Sequence, residues 1–407
     1  MGAFLQVMGS DELPHRERRS RGSLILSAAL TLLFGSACEV GDVPDGGDCA
    51  LAAPLTCSKL TPLQLGRRPR IIFDTDAQFR GDPTTARRRE QGAFGDTSAL
   101  IYMLLRSDQL QLLGVTTTNA NDGSIDEQVS EVQRVAALGG APSLPVRRGA
   151  VRTYSELQTE LDDSSFDGAE AVDFIITKAK IATPIDPLVI ILGGKATNLA
   201  LALTKDPSIA PNIVVHWLAT DQPGAAEQPE FPMSARPGGS GMYNILKDPD
   251  AANFVLSAPI ELHLMRGWAI SGTPASEPRY SGSAPGMRIK QAADLPCLGP
   301  RVEPVTFPDG SELWTAGSYV KTSFTTFGGN GVRALDEASL GVLLVRPELA
   351  KTRVINAPYY DTTSEQLVYP ESADAHQVFL YDAIETQAVS EEFVGALVDP
   401  FVSCEWK

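Results

Sequence analysis

Basic and aromatic side chains are scarce in this 407-residue chain. It has 34 Lys and Arg against 50 Asp and Glu, a net charge of −16, and aromatics make up 7%. So acidic a chain repels phosphate backbones and anionic headgroups, which excludes nucleic acid as a partner and any charge-driven membrane contact. Histidine is rarer still, at His15, His216, His263 and His376. No Cys-x-x-Cys occurs and the histidines are far apart along the sequence, which makes a zinc site a poorer reading of the cysteines than disulfides or free thiols. Five cysteines in a chain this long exclude a small disulfide scaffold. What is present, 43% apolar and 21% charged residues with 35 Gly and 29 Pro, is a globular composition, enough for one large α/β domain or two smaller ones.

The amino-terminal segment reads as an export signal. Arg16, Arg18, Arg19 and Arg21 precede an apolar run from Ser23 to Phe34, too short for a membrane span of about 20 residues, then Gly35-Ser36-Ala37-Cys38. Small residues directly before a cysteine resemble the bacterial lipoprotein cleavage site, so residues 1–38 are expected to be removed or lipidated at Cys38. The mature chain would sit in the cell envelope, periplasmic or outer-membrane anchored, touching membrane through that lipid alone. Gly35 stands where that motif usually has Leu, and plain secretion after cleavage near Ala37 is the alternative. Residues 39–68 read as a tether with a small disulfide loop, and 69–407 as the folded domain. Cys49, Cys57, Cys297 and Cys404 then suit two disulfides among three connectivities, with Cys49–Cys57 and Cys297–Cys404 the expected pairing.

From Arg70 onward, strand-length apolar runs alternate with segments of helical period. That pattern predicts an α/β fold with an open, mostly parallel sheet flanked by helices. Strands are expected at Arg70–Phe73, Leu110–Thr116, Leu188–Leu192, Ile213–Leu218, Ile260–Met265 and Arg353–Ala357. Ser124 with Glu127 forms a capping box that opens a helix lined by Ile125, Val129, Val132 and Ala136 and closed by Gly139-Gly140. Further helices are expected over residues 168–180, 197–204 and 249–256, and near 310–324, 335–345 and 390–400. The Gly-, Pro- and Ser-rich stretches 220–241 and 271–310 read as lid or binding loops.

In open α/β sheets, ligands sit beyond the carboxyl ends of the strands. The first strand ends there in Asp74-Thr75-Asp76. Two carboxylates at i and i+2 on a turn leaving a buried strand repel each other unless a cation or donors compensate, which points to a hard metal. Asp96 opens the helix that follows; taken alone it reads equally well as an N-cap.

These residues form a pattern. Ile71-Ile72-Phe73-Asp74-Thr75-Asp76, then Asp96 with Ala99-Leu100, then Gly114 to Asn121 resemble the inosine-uridine nucleoside hydrolase family. Leu192-Gly193-Gly194-Lys195-Ala196-Thr197-Asn198-Leu199-Ala200, Tyr243-Asn244-Ile245 with Asp248-Pro249-Asp250, and Leu335-Asp336 ahead of Arg346-Pro347-Glu348-Leu349 continue the resemblance in the family's order, over roughly residues 69–357. It implies a nucleoside hydrolase-like fold and Ca²⁺-dependent hydrolysis of the N-glycosidic bond of a small ribosyl substrate. By the same resemblance, Asp76 matches a metal ligand that is also the general base, Asp96 and Asp336 match further carboxylate ligands, and Gly193 a carbonyl ligand. Asp74 matches a supporting acid, and Asn121 and Asn244 match sugar-binding amides. A possible homo-oligomer is left open.

The chain departs from the pattern at four places. Gly95-Asp96 replaces two adjacent aspartates, and an insertion carrying Asp82 and Arg87-Arg88-Arg89 separates Asp76 from Asp96; Asp82 is the candidate to replace the lost acid at the sugar. Met242 stands where a sugar-binding Glu is expected. Leu335 replaces the His that protonates a purine leaving group, and leucine has no proton to give. A protein that keeps the fold and binds a ligand without turnover is therefore the alternative. His216 and His263 lie in strand-like runs and read as hydrogen-bonded core or surface histidines, while Tyr319, Phe324 and Phe327 read as core before base-stacking wall. Asp74-Thr75-Asp76 also resembles the nucleophile motif of haloacid dehalogenase-like phosphatases, but Gln78 stands where that motif wants Thr or Val.

Overall fold

The computed structural model describes residues 62, 65–66, 68–77, 94–119, 124–220, 240–266, 286–288, 305–306, 312–313, 332–372 and 375–397. The expected export segment, nearly all of the tether, all five cysteines, Asp82, Arg87 to Arg89, Asn121, Tyr319, Phe324 and Phe327 lie outside these residues.

In chain order the strands are β1 (Arg70–Thr75), β2 (Gln111–Thr117), β3 (Val146–Arg147), β4 (Leu188–Leu192), β5 (Ile213–Thr220), β6 (Glu261–Arg266), β7 (Gly286–Arg288), β8 (Val305–Thr306), β9 (Glu312–Leu313), β10 (Val332–Ala334), β11 (Ala350–Asn356), β12 (Tyr359–Asp361), β13 (Gln366–Val368) and β14 (Gln377–Ile384). The helices are α1 (Phe94–Leu105), α2 (Ile125–Leu138), α3 (Tyr154–Leu157), α4 (Ala169–Lys180), α5 (Thr197–Lys205), α6 (Ser240–Leu246), α7 (Pro249–Ser257), α8 (Asp336–Val345) and α9 (Thr386–Leu397).

Eight strands form one sheet in the order β11-β14-β6-β5-β4-β1-β2-β3. Every neighbouring pair is parallel except β11 with β14. Successive side chains on a strand point to opposite faces, and that alternation builds two cores. Ile71, Phe73, Val189, Ile191, Leu218 and Met265 pack with residues of α1, α2, α8 and α9. Ile72, Ile190, Leu192, Val215, Trp217 and Leu264 pack with residues of α4, α5 and α7. Strands covered on both faces read as continuous apolar runs, which is why Ile71-Ile72-Phe73 and Leu188–Leu192 are visible in sequence. Full burial of each such side chain contributes about 1.5–3 kcal/mol.

The capping box forms as expected. Ser124 Oγ accepts from Glu127 N at 3.1 Å and Glu127 Oε2 accepts from Ser124 N at 3.1 Å, and the helix ends at Gly139. The expected helix near 310–324 does not hold at its start, because Glu312–Leu313 pairs antiparallel with Val305–Thr306. The long loops also contain order: Gly286–Arg288 pairs with Val332–Ala334, and α6 starts at Ser240. The β12–β13 hairpin and β14 fall where no element is predicted.

β1 is the pivot of the connectivity. The chain runs from β1 outward through β2 to β3, then returns to β4 on the other side of β1 and continues to β5 and β6. Loops leaving β1 and β4 therefore diverge, and the crevice between them is the topological switch point.

Candidate active site

Asp74, Thr75 and Asp76 leave the end of β1 fully or almost fully buried. The backbone continues the sheet's pairing past its last side chains: Gly193 N donates to Asp74 O at 2.7 Å and Thr118 N donates to Thr75 O at 2.9 Å. This clamps the β1, β2 and β4 ends together. Asp74 sits behind the turn, where its Oδ1 accepts from Thr116 Oγ1 and Asn198 Nδ2, both at 2.9 Å. Asn198 also donates to Thr117 O and accepts from Ala150 N, so one amide ties β1, the end of β2 and the start of α5.

Asp96, near the start of α1, is buried against the same turn. Its Oδ1 accepts from the Thr75 hydroxyl, and that hydroxyl accepts from Ala77 N at 3.1 Å. The Asp76 and Asp96 carboxyls are close enough that the ionisation of one bears on the other. Burial raises Asp76 to about 7 against the Asp96 hydrogen bond and the Lys247 ammonium, which pull it down. Asp96 is raised well above the usual carboxylate range by burial, then by the charges of Glu337 and Asp76. Burial also lifts Asp74 to about 7, opposed by Asn198 and Thr116.

The β4–α5 turn touches these acids because it is Gly193-Gly194. A Cβ on Gly193 would collide with Asp96 Oδ1 and stand 3.1 Å from Glu337 Cγ and Phe73 Cε2, while one on Gly194 would stand 2.6 Å from Thr118 Cγ2 and 3.4 Å from Asp76 Cβ. Backbone is thereby brought where side chains would fill the space. Asn244 on α6 donates from Nδ2 to Leu218 O at 3.0 Å and to Gly193 O at 3.4 Å, and Trp217 Nε1 donates to Gly194 O at 3.1 Å.

The structure thus brings together Asp74, Asp76, Asp96, Gly193 and Asn244 from distant parts of the sequence. Asp336 opens α8, with its side chain outside what the structure describes. Sequence reasoning missed Glu337, the buried residue after it, along with Thr75, which braces Asp96, and Lys247. An acid in the first turn of a helix is so ordinary that Glu337 carries no signal of its own.

An oxygen-only set of carboxylates and a carbonyl, with buried like charges, fits a hard divalent cation. Two further buried oxygens, Asp74 Oδ2 and Thr118 Oγ1, have no hydrogen-bond partner among the described residues. Among those residues no three His, Cys, Asp or Glu side chains form a ready-made metal cage; the two acids in contact are Asp76 and Asp96.

Elsewhere, Leu335 is wholly buried and packs in the apolar core. His216 and His263 are cross-strand neighbours in mid-sheet, their rings stacked with centroids 4.4 Å apart. His216 Nδ1 bonds Tyr381 Oη at 3.0 Å and His263 Nε2 bonds Glu261 at 2.8 Å. They are the hydrogen-bonded histidines the sequence suggests.

An open, mostly parallel α/β sheet with buried acids at its switch point is a ligand-binding architecture shared by many folds, and sequence and structure comparisons narrow it to one family. Residues 71–366 match the family model of the inosine-uridine preferring nucleoside hydrolases. The chain belongs to that family. It is 26% identical over 330 residues to the Schizosaccharomyces pombe protein C1683.06c, covering 75% of this chain and 94% of that one. It is 29% identical over 181 residues to the pyrimidine-specific ribonucleoside hydrolase RihA of Shewanella woodyi, covering 41% and 55%. The fold matches the plant nucleoside hydrolase PpNRh1 (TM-score 0.56, 14% identity, 82% of this chain and 99% of that one). It also matches the purine-preferring ribonucleoside hydrolase of Gardnerella vaginalis (TM-score 0.55, 18% identity, 80% and 97%).

Proposed function

We propose that the chain hydrolyses the N-glycosidic bond of a ribonucleoside or a related ribosyl compound. In this reading Ca²⁺ is held by Asp76, Asp96, the Gly193 carbonyl and Asp336, and Asp76 is the general base. The observation that carries the reading is the meeting of Asp76, Asp96 and Gly193 at the switch point, within a chain of nucleoside hydrolase lineage. Bound there, calcium would anchor two vicinal hydroxyls and make a neighbouring water more acidic. The protein's own groups do the rest. Asp76 takes the proton of the attacking water as its oxygen bonds the anomeric carbon, and the departing base leaves with the electron pair of the broken C–N bond. Asn244, held through its Nδ2, keeps Oδ1 as an acceptor for a sugar hydroxyl. Asn121 and Asp82 are assigned to the same sugar. Asp74 positions the turn through Asn198 and Thr116.

Leu335 favours substrates whose base departs without a proton from that position. Leu335 and Gly95 also favour the second reading, ligand binding without turnover. The proposal extends to the mature chain's place in the cell envelope, tethered through Cys38 and residues 39–68, with secretion the alternative if Cys38 is not lipidated.

The test is to supply the mature protein with calcium and a panel of nucleosides and to measure free ribose. Release that chelation stops and that Asp76→Asn lowers by about 10³-fold, within the range expected for a general base, supports the hydrolase. Calcium uptake with no ribose from any nucleoside supports the second reading.

A further inference from the structure

Trp217 is the largest of the wholly buried side chains among the described residues, and it stands where apolar packing alone would be served by phenylalanine. It lies on β5 opposite Leu192, the last residue of β4, and shares with Leu192 the core that faces α4, α5 and α7. The indole adds one polar atom to that core, an N–H that only donates and that needs an acceptor once buried. The acceptor is Gly194 O, 3.1 Å away and beyond the end of β4. One strand's side chain thus reaches the turn that leaves its neighbour.

That turn has few restraints of its own. Gly193 and Gly194 carry no side chain to pack, and glycine leaves the backbone freer than any other residue does. Its place nonetheless matters, because Asp96 Oδ1 and Asp76 Cβ stand against the points where the two Cβ atoms would be. Hydrogen bonds fix the pair from opposite ends: Gly193 N donates to Asp74 O at 2.7 Å, and Trp217 Nε1 donates to Gly194 O. Asn244 Nδ2 reaches Gly193 O only at 3.4 Å and makes its shorter bond, at 3.0 Å, to the carbonyl of Leu218, the residue after Trp217. β1 therefore holds the entry of the turn and β5 its exit. We infer that Trp217 is a positioning residue of the site: its indole N–H pins the exit of the Gly193-Gly194 turn and keeps that backbone against Asp76 and Asp96, where cation and substrate are to be bound. This rests on the calcium-dependent reading of the site. Without the pin, the ligand has to order the turn itself, which weakens its binding.

Trp217→Phe keeps a large flat ring in the core and removes the donor. Calorimetry of the mature chain with CaCl₂ and steady-state ribose release, both at a temperature where the variant is folded, read the loss. Calcium binding is expected to be about fivefold weaker, the size of one hydrogen bond. At saturating calcium, kcat is expected to fall about tenfold with KM within about twofold, as a small misplacement of the reacting groups requires. A tryptophan that serves packing alone gives another result: Tm falls while calcium affinity, kcat and KM keep their wild-type values, and that outcome overturns the inference. Ile175→Ala, a cavity in the same core on α4, is the control. It should lower Tm only, and a loss of calcium affinity equal to that of Trp217→Phe overturns the inference too. Should the phenylalanine chain not fold, Trp217→Met, which fills the space flexibly and has no donor, is read by the same criteria. A wild-type chain that binds calcium without turnover is read by affinity alone: weaker binding in Trp217→Phe supports the pin and equal binding overturns it. A wild type that neither takes up calcium nor releases ribose defeats this inference together with the reading beneath it. A wild type that does both, matched by Trp217→Phe, defeats this inference alone.

Discussion

Two clusters of buried polar side chains lie in the same sheet, and they answer burial in opposite ways. In mid-sheet, His216 and His263 stack on each other, and Phe379 stacks on His263 with ring centroids 4.8 Å apart. Tyr381 and Glu261 complete hydrogen bonds at their edges. Burial holds His216 well below its ordinary value, so it stays neutral and leaves no charge to be compensated. At the ends of β1 and β4, Asp74, Asp76 and Asp96 are buried at least as deeply, but each of these carboxyls must either hold a proton or find positive charge. A neutral group can be absorbed into a core, whereas convergent acids leave an electrostatic demand that a ligand can meet. Burial of polar groups therefore does not by itself mark function; in the proposed reading, the convergence of acids at the switch point does.

The largest contrast should come from Gly193→Ala. The added methyl has nowhere to go, with Asp96 Oδ1 in its path and Glu337 Cγ and Phe73 Cε2 at 3.1 Å. Forcing the turn away from β1 should cost about 2 kcal/mol in urea unfolding. It should also lower ribose release on the order of 10²-fold by displacing the backbone from the acids. An alanine variant that binds calcium and releases ribose like the wild type would mean that close approach of this turn does not matter.

The second effect is a matter of pH. Asp74 and Asp76 each hold a proton more tightly in the folded chain, at about 7 against an ordinary 3.8. Their contribution to folding is therefore fully present below about 3.8 and is lost as pH rises through about 7. Asp76→Asn no longer carries its share of that loss. In EDTA, its Tm relative to wild type should climb between pH 5 and 8, and calcium should narrow the gap by favouring the ionised wild type. A Tm difference that stays flat or falls over this range would show that Asp76 is not held protonated by its surroundings.

The same contrast explains what could be read from the sequence. β1 and β4 are legible because strands buried on both faces need unbroken apolar runs, and Ser124 with Glu127 announces α2 because its cap is made of adjacent residues. Asp74, Asp76, Asp96 and Gly193 were found as parts of a pattern, and their convergence is a property of the β1/β4 switch that spacing alone cannot express. Glu337 and Thr75 act through neighbours supplied by other elements, so local sequence gives no hint of them. α6 was hidden because Ser240–Leu246 is short and contains Gly241. The helix expected from residue 310 gave way to the β8–β9 pair at Glu312–Leu313, where tertiary pairing overrides local period.

The smallest effect belongs to the histidine cluster and is the sharpest check on the comparison. Phenylalanine at position 216 keeps a flat ring against His263 and removes a buried Nε2 that has no partner among the described residues. Against that gain, Tyr381 Oη loses the Nδ1 it now meets at 3.0 Å. An unpaired buried hydroxyl costs about 1–3 kcal/mol, and relief of the orphaned nitrogen offsets part of it. His216→Phe should therefore lower stability by about 1 kcal/mol in urea unfolding. Calcium affinity and ribose release should be unaltered, because His216 lies in mid-strand, where it bonds Tyr381 and stacks on His263. If His216→Phe abolished ribose release from a folded, calcium-binding chain, the pair would belong to the chemistry, and the division between an absorbed cluster and a demanding one would fail.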